Sequence, residues 1–146
     1  MGFQNQLQPE KINLCHPSSS LKVNVICTDL DETLAALRTA GRLACNLHAE
    51  IDLLVPQLVP YPLDLHHPPI AKDFTARKFQ TLTDGQKVPT SVQVILCRER
   101  ESAWKQALNP HSLVVIGHRK HWWKPGESRL ARALRKQGHE VISVAA

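Results

Sequence analysis

The chain has 146 residues, a 42% hydrophobic fraction and a formal net charge of +5. That length suits one domain able to bury roughly 68–70% of its unfolded surface, and no apolar stretch approaches the ~20 residues of a membrane helix. The first residues lack a basic segment followed by an apolar core, which argues against a secretory signal, and Gln6 stands where a myristoylation signal wants Ser or Thr. Cys15, Cys27, Cys45 and Cys97 form no CxxC pair. Buried free thiols in a cytoplasmic protein are therefore expected.

Residues 1–20 carry few large apolar side chains and end in PSSS, so they read as a poorly ordered leader ahead of a single domain over 21–146. KVNVICTD (22–29) is a continuous strand of the kind buried on both faces. ETLAALRTAGRLACNLH (32–48) follows as a helix, with Leu34, Leu37, Gly41, Ala44 and Leu47 on one face. Its small residues Ala36, Ala40, Gly41 and Ala44 would let it sit close to a sheet. AEIDLLVPQLVP (49–60) is a second strand ended by prolines, which cannot donate to a ladder. After a proline-rich connection (61–70), residues 71–85 read as a weaker helix with Phe74, Lys78 and Leu82 at four-residue spacing. TSVQVILCRE (90–99) is a third strand, and ESAWKQALN (101–109) a short helix stopped at Asn109-Pro110, with Trp104 in the core. SLVVIGH (112–118) is a fourth strand. ESRLARALRKQG (127–138) is a fourth helix with Leu130, Ala133 and Leu134 inward and Gly138 as its cap, and HEVISVA (139–145) is the last strand.

Five apolar strands separated by helical connections imply an α/β fold, a five-stranded parallel sheet with helices on both faces in the Rossmann-like manner. Ligands of such sheets sit beyond the strands' carboxyl ends, where the strand order reverses. The candidate site is then bordered by Asp29, the Val59-Pro60 corner and the Gly117–Ser128 loop.

DLDETL (29–34) matches the opening motif of the haloacid dehalogenase-like phosphatases, in which Asp29 would be the nucleophile and Asp31 the general acid. That chemistry needs Mg²⁺ held by further acids at the end of a later strand. Here SLVVIG runs into HRKHWWK, which contains no acid, and VQVILC into Arg98 and Glu99. The helical period also starts at once from Glu32, leaving no loop or flap. Asp29, Asp31 and Glu32 are then ordinary first-turn acids, with Asp31 able to cap.

From Val23 to Val144 the chain resembles the universal stress proteins, whose fold is related to the adenine nucleotide α-hydrolases. The resemblance rests on a strand ending in Asp29 that enters an Ala- and Leu-rich helix, on AGRLACNLHAEIDLLV, where that helix leads directly into a strand and a Pro-containing loop, and on SLVVIGHRK followed by a loop, a helix and the terminal HEVISVA. It implies that Asp29 contacts adenine. It also implies a G-x-x-G then G-[ST] loop around ribose and phosphates, onto which Gly117, Gly126 and Ser128 fall. Lys120 stands where the second glycine belongs, and bare backbone is wanted there. Arg119, Lys120 and Lys124 would then hold phosphate by charge. The implied cofactor is ATP or another adenine nucleotide, with no metal. The implied function is a stress- or signal-responsive binding module rather than an enzyme, and the alternative is a nucleotide-free protein-interaction or scaffold domain.

The resemblance further implies a homodimer through the C-terminal strand, which would otherwise be an unpaired apolar edge. Residues 112–138 hold seven Lys and Arg against the single acid Glu127, a field that suits phosphates or an acidic partner. These cations lie on a helix and a loop without a recognised reading motif, so nucleic acid is not the expected partner. Arg98 and Arg100 would add to the field. Trp122-Trp123 beside the loop cations could stack on a base, and His66, His67, His118 and His121 lack the companion acids or thiols of a metal site.

Overall fold

The computed structural model describes residues 21–119 and 126–146, with the backbone alone described at 126–128. The expectations placed on residues 1–20, Lys120, His121, Trp122, Trp123 and Lys124 lie outside the described residues. Strands and helices alternate as β1 (Lys22–Ile26), α1 (Leu30–Leu47), β2 (Glu50–Leu58), α2 (Lys72–Thr83), β3 (Thr90–Cys97), α3 (Arg100–Ala107), β4 (Leu113–His118), α4 (Gly126–Lys136) and β5 (Glu140–Ala145). All strand pairs are parallel, in the order β3-β2-β1-β4-β5. The chain runs from β1 to one edge, then crosses to β4 and on to the other, so the reversal falls between β1 and β4.

The two-residue alternation along the strands feeds two cores. Val23, Val25, Ile51, Leu53, Val94 and Val115 pack with Ala36, Leu37, Ala40 and Ala44 of α1 and with Phe79 and Leu82 of α2. Ile26, Leu54, Ile95, Val114 and Ile116 pack with Trp104 of α3 and Leu134 of α4. Each such side chain fully buried contributes about 1.5–3 kcal/mol, which is why the central strands read as unbroken apolar runs.

The helix faces differ from the sequence expectation. In α1 the buried positions are Thr33, Ala35, Ala36, Leu37, Ala40 and Ala44, while Leu47 is exposed. Close approach to the sheet selects the alanine stripe together with Leu37, leaving Leu34 half-buried and Leu47 outside it. Phe74 of α2 is likewise exposed, and α4 buries Ala131 and Leu134 where Ala133 was expected.

Both α1 and α4 close with paired bonds of the Schellman type. At α1 the N–H of His48 donates to Cys45 O and that of Ala49 to Ala44 O; at α4 Gly138 donates to Arg135 O and His139 to Leu134 O. Gly138 holds φ +96°, and His48 takes the left-handed conformation with a full side chain at φ 53°. Cys27 and Cys97 are free and buried, and burial raises both thiols above their ordinary range. Cys45, half-buried on α1, is disulfide-bonded, which corrects the expectation of a free thiol there. No helix among the described residues is long and apolar enough to cross a membrane.

Candidate functional site

The site begins where β1 stops. The chain leaves the strand at Ile26 and enters α1 at Leu30, with Asp29 as the N-cap. Asp29 Oδ1 accepts the Glu32 N–H at 3.1 Å, so the capping residue is Asp29 and not Asp31, which is exposed in the first turn. A cap of this kind contributes about 0.5–2 kcal/mol. Thr33, wholly buried, ties the same turn from beneath. Its hydroxyl donates to Asp29 O at 2.6 Å and accepts the Thr28 N–H at 3.0 Å. This hydroxyl belongs to the backbone of the strand-to-helix turn and is not available to a ligand.

The second carboxylate oxygen of Asp29 receives Arg119 from across the reversal point. Arg119 Nη2 donates to Asp29 Oδ2 at 2.8 Å and Nε donates to the same oxygen at 3.1 Å. The two side chains are 39% and 64% exposed, so water screens the pair and it adds little to stability. The Glu32 N–H, with Arg119 beside it, holds the Asp29 carboxyl below its ordinary range. Asp29 in turn strengthens the hold of Arg119 on its proton. Glu32 is half-buried, and burial together with the Asp29 charge pushes its carboxyl up.

Gly117, in β4 between β1 and β5, explains how the two walls meet. A Cβ built there would lie 1.9 Å from the Glu32 carbonyl oxygen and 2.5 Å from its carbon. Its backbone conformation is open to any residue, so only the contact requires glycine. The first turn of α1 thus rests directly on β4, and this contact sets the separation of Asp29 from Arg119.

Of the residues expected at the site, Asp29 and Arg119 are in contact, and Gly117 sits under them against α1. Gly126 and Ser128 lie in the first turn of α4. Lys120 and Lys124 lie outside the described residues. Arg98 does not join: it donates to Val59 O at 2.8 Å and Leu63 O at 2.7 Å, and its guanidinium lies 4.2 Å over the Tyr61 ring. It organises the connection after β2, on the far side of β2 from the reversal.

Two residues at the site escaped the sequence reading. Thr33 was legible only as part of a catalytic string. The Thr28 hydroxyl, immediately before Asp29, is buried with no hydrogen-bond partner among the described residues, a feature that side-chain type alone does not signal. Among the described residues no group of three or more His, Cys, Asp and Glu is placed to hold a metal ion. His67 pairs instead with Asp64 at 2.8 Å on the surface.

No family model matches the chain, and no curated protein does. Among solved structures it is similar to a universal stress protein determined in complex with cAMP, with a TM-score of 0.55 and 15% identity over 88% of this chain and 98% of that chain. At that identity the likeness is one of fold: the chain has the universal stress protein-like α/β architecture, five parallel strands with helices on both faces.

Proposed function

We propose that the chain is a small stress- or signal-responsive binding module that takes an adenine nucleotide at the reversal point between β1 and β4. The observation that carries this is the Asp29–Arg119 pair, set at the carboxyl ends of two adjacent strands. An adenine nucleotide offers a hydrogen-bond donor at its amino group and an anion at its phosphate. The first can replace Arg119 on the Asp29 carboxylate, and the second can take up the released guanidinium. Because the free-state pair is exposed and screened by water, opening it costs little. The complex of the structural neighbour with cAMP supports the same ligand class, and the first turn of α4 would add backbone N–H groups toward phosphate. The test is calorimetric titration with cAMP, ATP, ADP and cyclic dinucleotides. Saturable binding to at least one of them, weakened about tenfold or more by Asp29→Asn, is the expected result. Silence for all of them would overturn the proposal.

A second reading, a protein-interaction domain, draws on a separate observation. Leu58, Tyr61, Leu63, Ile70 and Phe74 are all exposed along the segment from the end of β2 into α2, and exposed apolar residues gathered in one segment suit a partner surface. In either reading a homodimer would form through β5, whose Val141, Ile142 and Val144 are only half-buried at a free sheet edge. Light scattering would test it. The phosphatase alternative loses ground because Asp29 is committed to the helix cap and to Arg119, and Thr33 to the turn.

A further inference from the structure

We propose that the polar shelf at the amino-terminal end of the sheet, on the α3 side, is a second binding site, for a small neutral hydroxyl-rich molecule of the sugar or polyol class. Interior strands of a parallel sheet covered on both faces call for apolar residues. β1 and β2 break this rule at one level: Asn24 and Asp52 are register partners and share the face of Ile26 and Leu54. α3 has only 8 residues, and it places Ala103 and Trp104 over the upper, apolar part of that face. Below it lies an open groove of about 690 Å³, bordered by Lys22, Asn24, Asp52, Gln93, Asn109 and Ser112.

The groups in this groove specify the chemistry. Asn24 is 8% exposed, and its amide Nδ2 donates to Leu113 O at 3.1 Å. Its carbonyl Oδ1 accepts no hydrogen bond from the described residues and is not sealed from solvent, so it is an acceptor open to the groove. The Asp52 side chain is 13% exposed, and Lys22 Nζ reaches its Oδ2 at 3.3 Å. The pair brings no net charge, so the occupant is neutral. What remains is an amide carbonyl and a carboxylate oxygen that accept, with the amides of Gln93 and Asn109 that both donate and accept. A hydroxyl is the group that can serve both roles at once. Among the described residues no Phe, Tyr or Trp lines the groove; its one aromatic ring is the imidazole of His111, which is tied to Gly138 O through Nδ1 at 3.2 Å. The shelf and the Asp29–Arg119 pair lie at opposite ends of the strands, so either site can fail without the other.

The experiment is a ¹H–¹⁵N correlation titration of the full chain with glucose, with myo-inositol and with glycerol, and with cAMP as comparison. Saturable shifts at millimolar or tighter affinity are expected in the side-chain amides of Asn24, Gln93 and Asn109 and in the backbone of 109–113. Residues 29–33 should not move with these polyols. Gln93→Ala alters an exposed position and should leave the fold intact while weakening the polyol about tenfold or more; Asn24→Val should abolish the shifts. If Asn24→Val does not fold, Gln93→Ala and Asp52→Asn decide. Absence of saturable shifts for all three polyols, shifts located elsewhere, or unchanged affinity in the folded variants would each overturn the proposal.

Discussion

Gly117→Ala is a one-carbon change whose effect follows from a single contact. The added Cβ would stand 1.9 Å from Glu32 O, 2.5 Å from Glu32 C and 2.8 Å from Glu32 Cα, all of them backbone atoms. Carbon contacts settle near 3.5–4.0 Å, so β4 and α1 must part by an ångström or more. Neither wall can yield easily. β4 is hydrogen-bonded on both sides, and the first turn of α1 is held by the Asp29 cap, the Thr33 clip and the buried Ala36 and Ala40. Overpacking of this kind costs about 1–3 kcal/mol and occasionally more. The gain from replacing glycine in a strand, about 0.5–1 kcal/mol, opposes it. With a 1.9 Å contact to backbone the upper end of that cost applies, and the net expectation is a loss of about 2 kcal/mol, out of a total near 5–15 kcal/mol. In urea the midpoint should fall with an unchanged slope, and the melting temperature should drop by roughly 5–10 °C. Gly85→Ala is the matched control, since nothing lies within 4 Å of its Cβ, and it should be neutral or slightly stabilising. A Gly117→Ala protein as stable as its parent, with only ligand binding lost, would refute the packing argument and return Gly117 to the role of a phosphate-approach glycine.

Two further outcomes follow from the caps. His48→Gly should stabilise the protein by about 0.5–1 kcal/mol, because an exposed non-glycine residue in the left-handed region at a helix end carries a strain that glycine lacks; a thermal melt that does not rise would count against it. Asp29→Asn should destabilise the protein by no more than about 1 kcal/mol at neutral pH, since Asn still caps and the lost Arg119 pair is screened. The pH dependence has a definite sign. The Asp29 carboxyl lies below its ordinary value in the fold, so its contribution is present above the unfolded value of about 3.9 and is lost as pH falls through the folded one. Glu32 works the opposite way: its raised carboxyl costs stability when ionised, and acid relieves that cost. Urea midpoints of parent and Asp29→Asn should therefore converge on acidification, and a gap constant with pH would show that Asp29 makes no charge-dependent contribution.

The order of elements was legible because it rests on local pattern. Unbroken apolar runs mark strands covered on both faces, and Gly138 marks a helix end whatever lies elsewhere in the chain. What the pattern could not carry are contacts between distant segments. The sequence suggests glycine at 117 for a phosphate; the structure shows it is needed for the carbonyl of Glu32. Arg119 reads as one cation among seven until the strand order places it 2.8 Å from Asp29. Asn24 and Asp52 sit inside runs that look apolar, and only their register shows that they are neighbours.

The six residues DLDETL show the limit most directly. A phosphatase uses such a string by leaving both carboxylates and the hydroxyl facing an open loop, where a metal and a phosphorus atom can enter. Here the helix starts at Leu30, so the same atoms meet backbone instead: Asp29 meets the Glu32 amide, and Thr33 meets the Asp29 carbonyl. The step from one use to the other requires no change in the six letters. It follows from a contact made by a seventh residue, Gly117, which brings β4 against the first turn and leaves no room for an intervening loop. A motif of this length therefore fixes which groups are present at the strand end. The partner that crosses from the next strand fixes what they do.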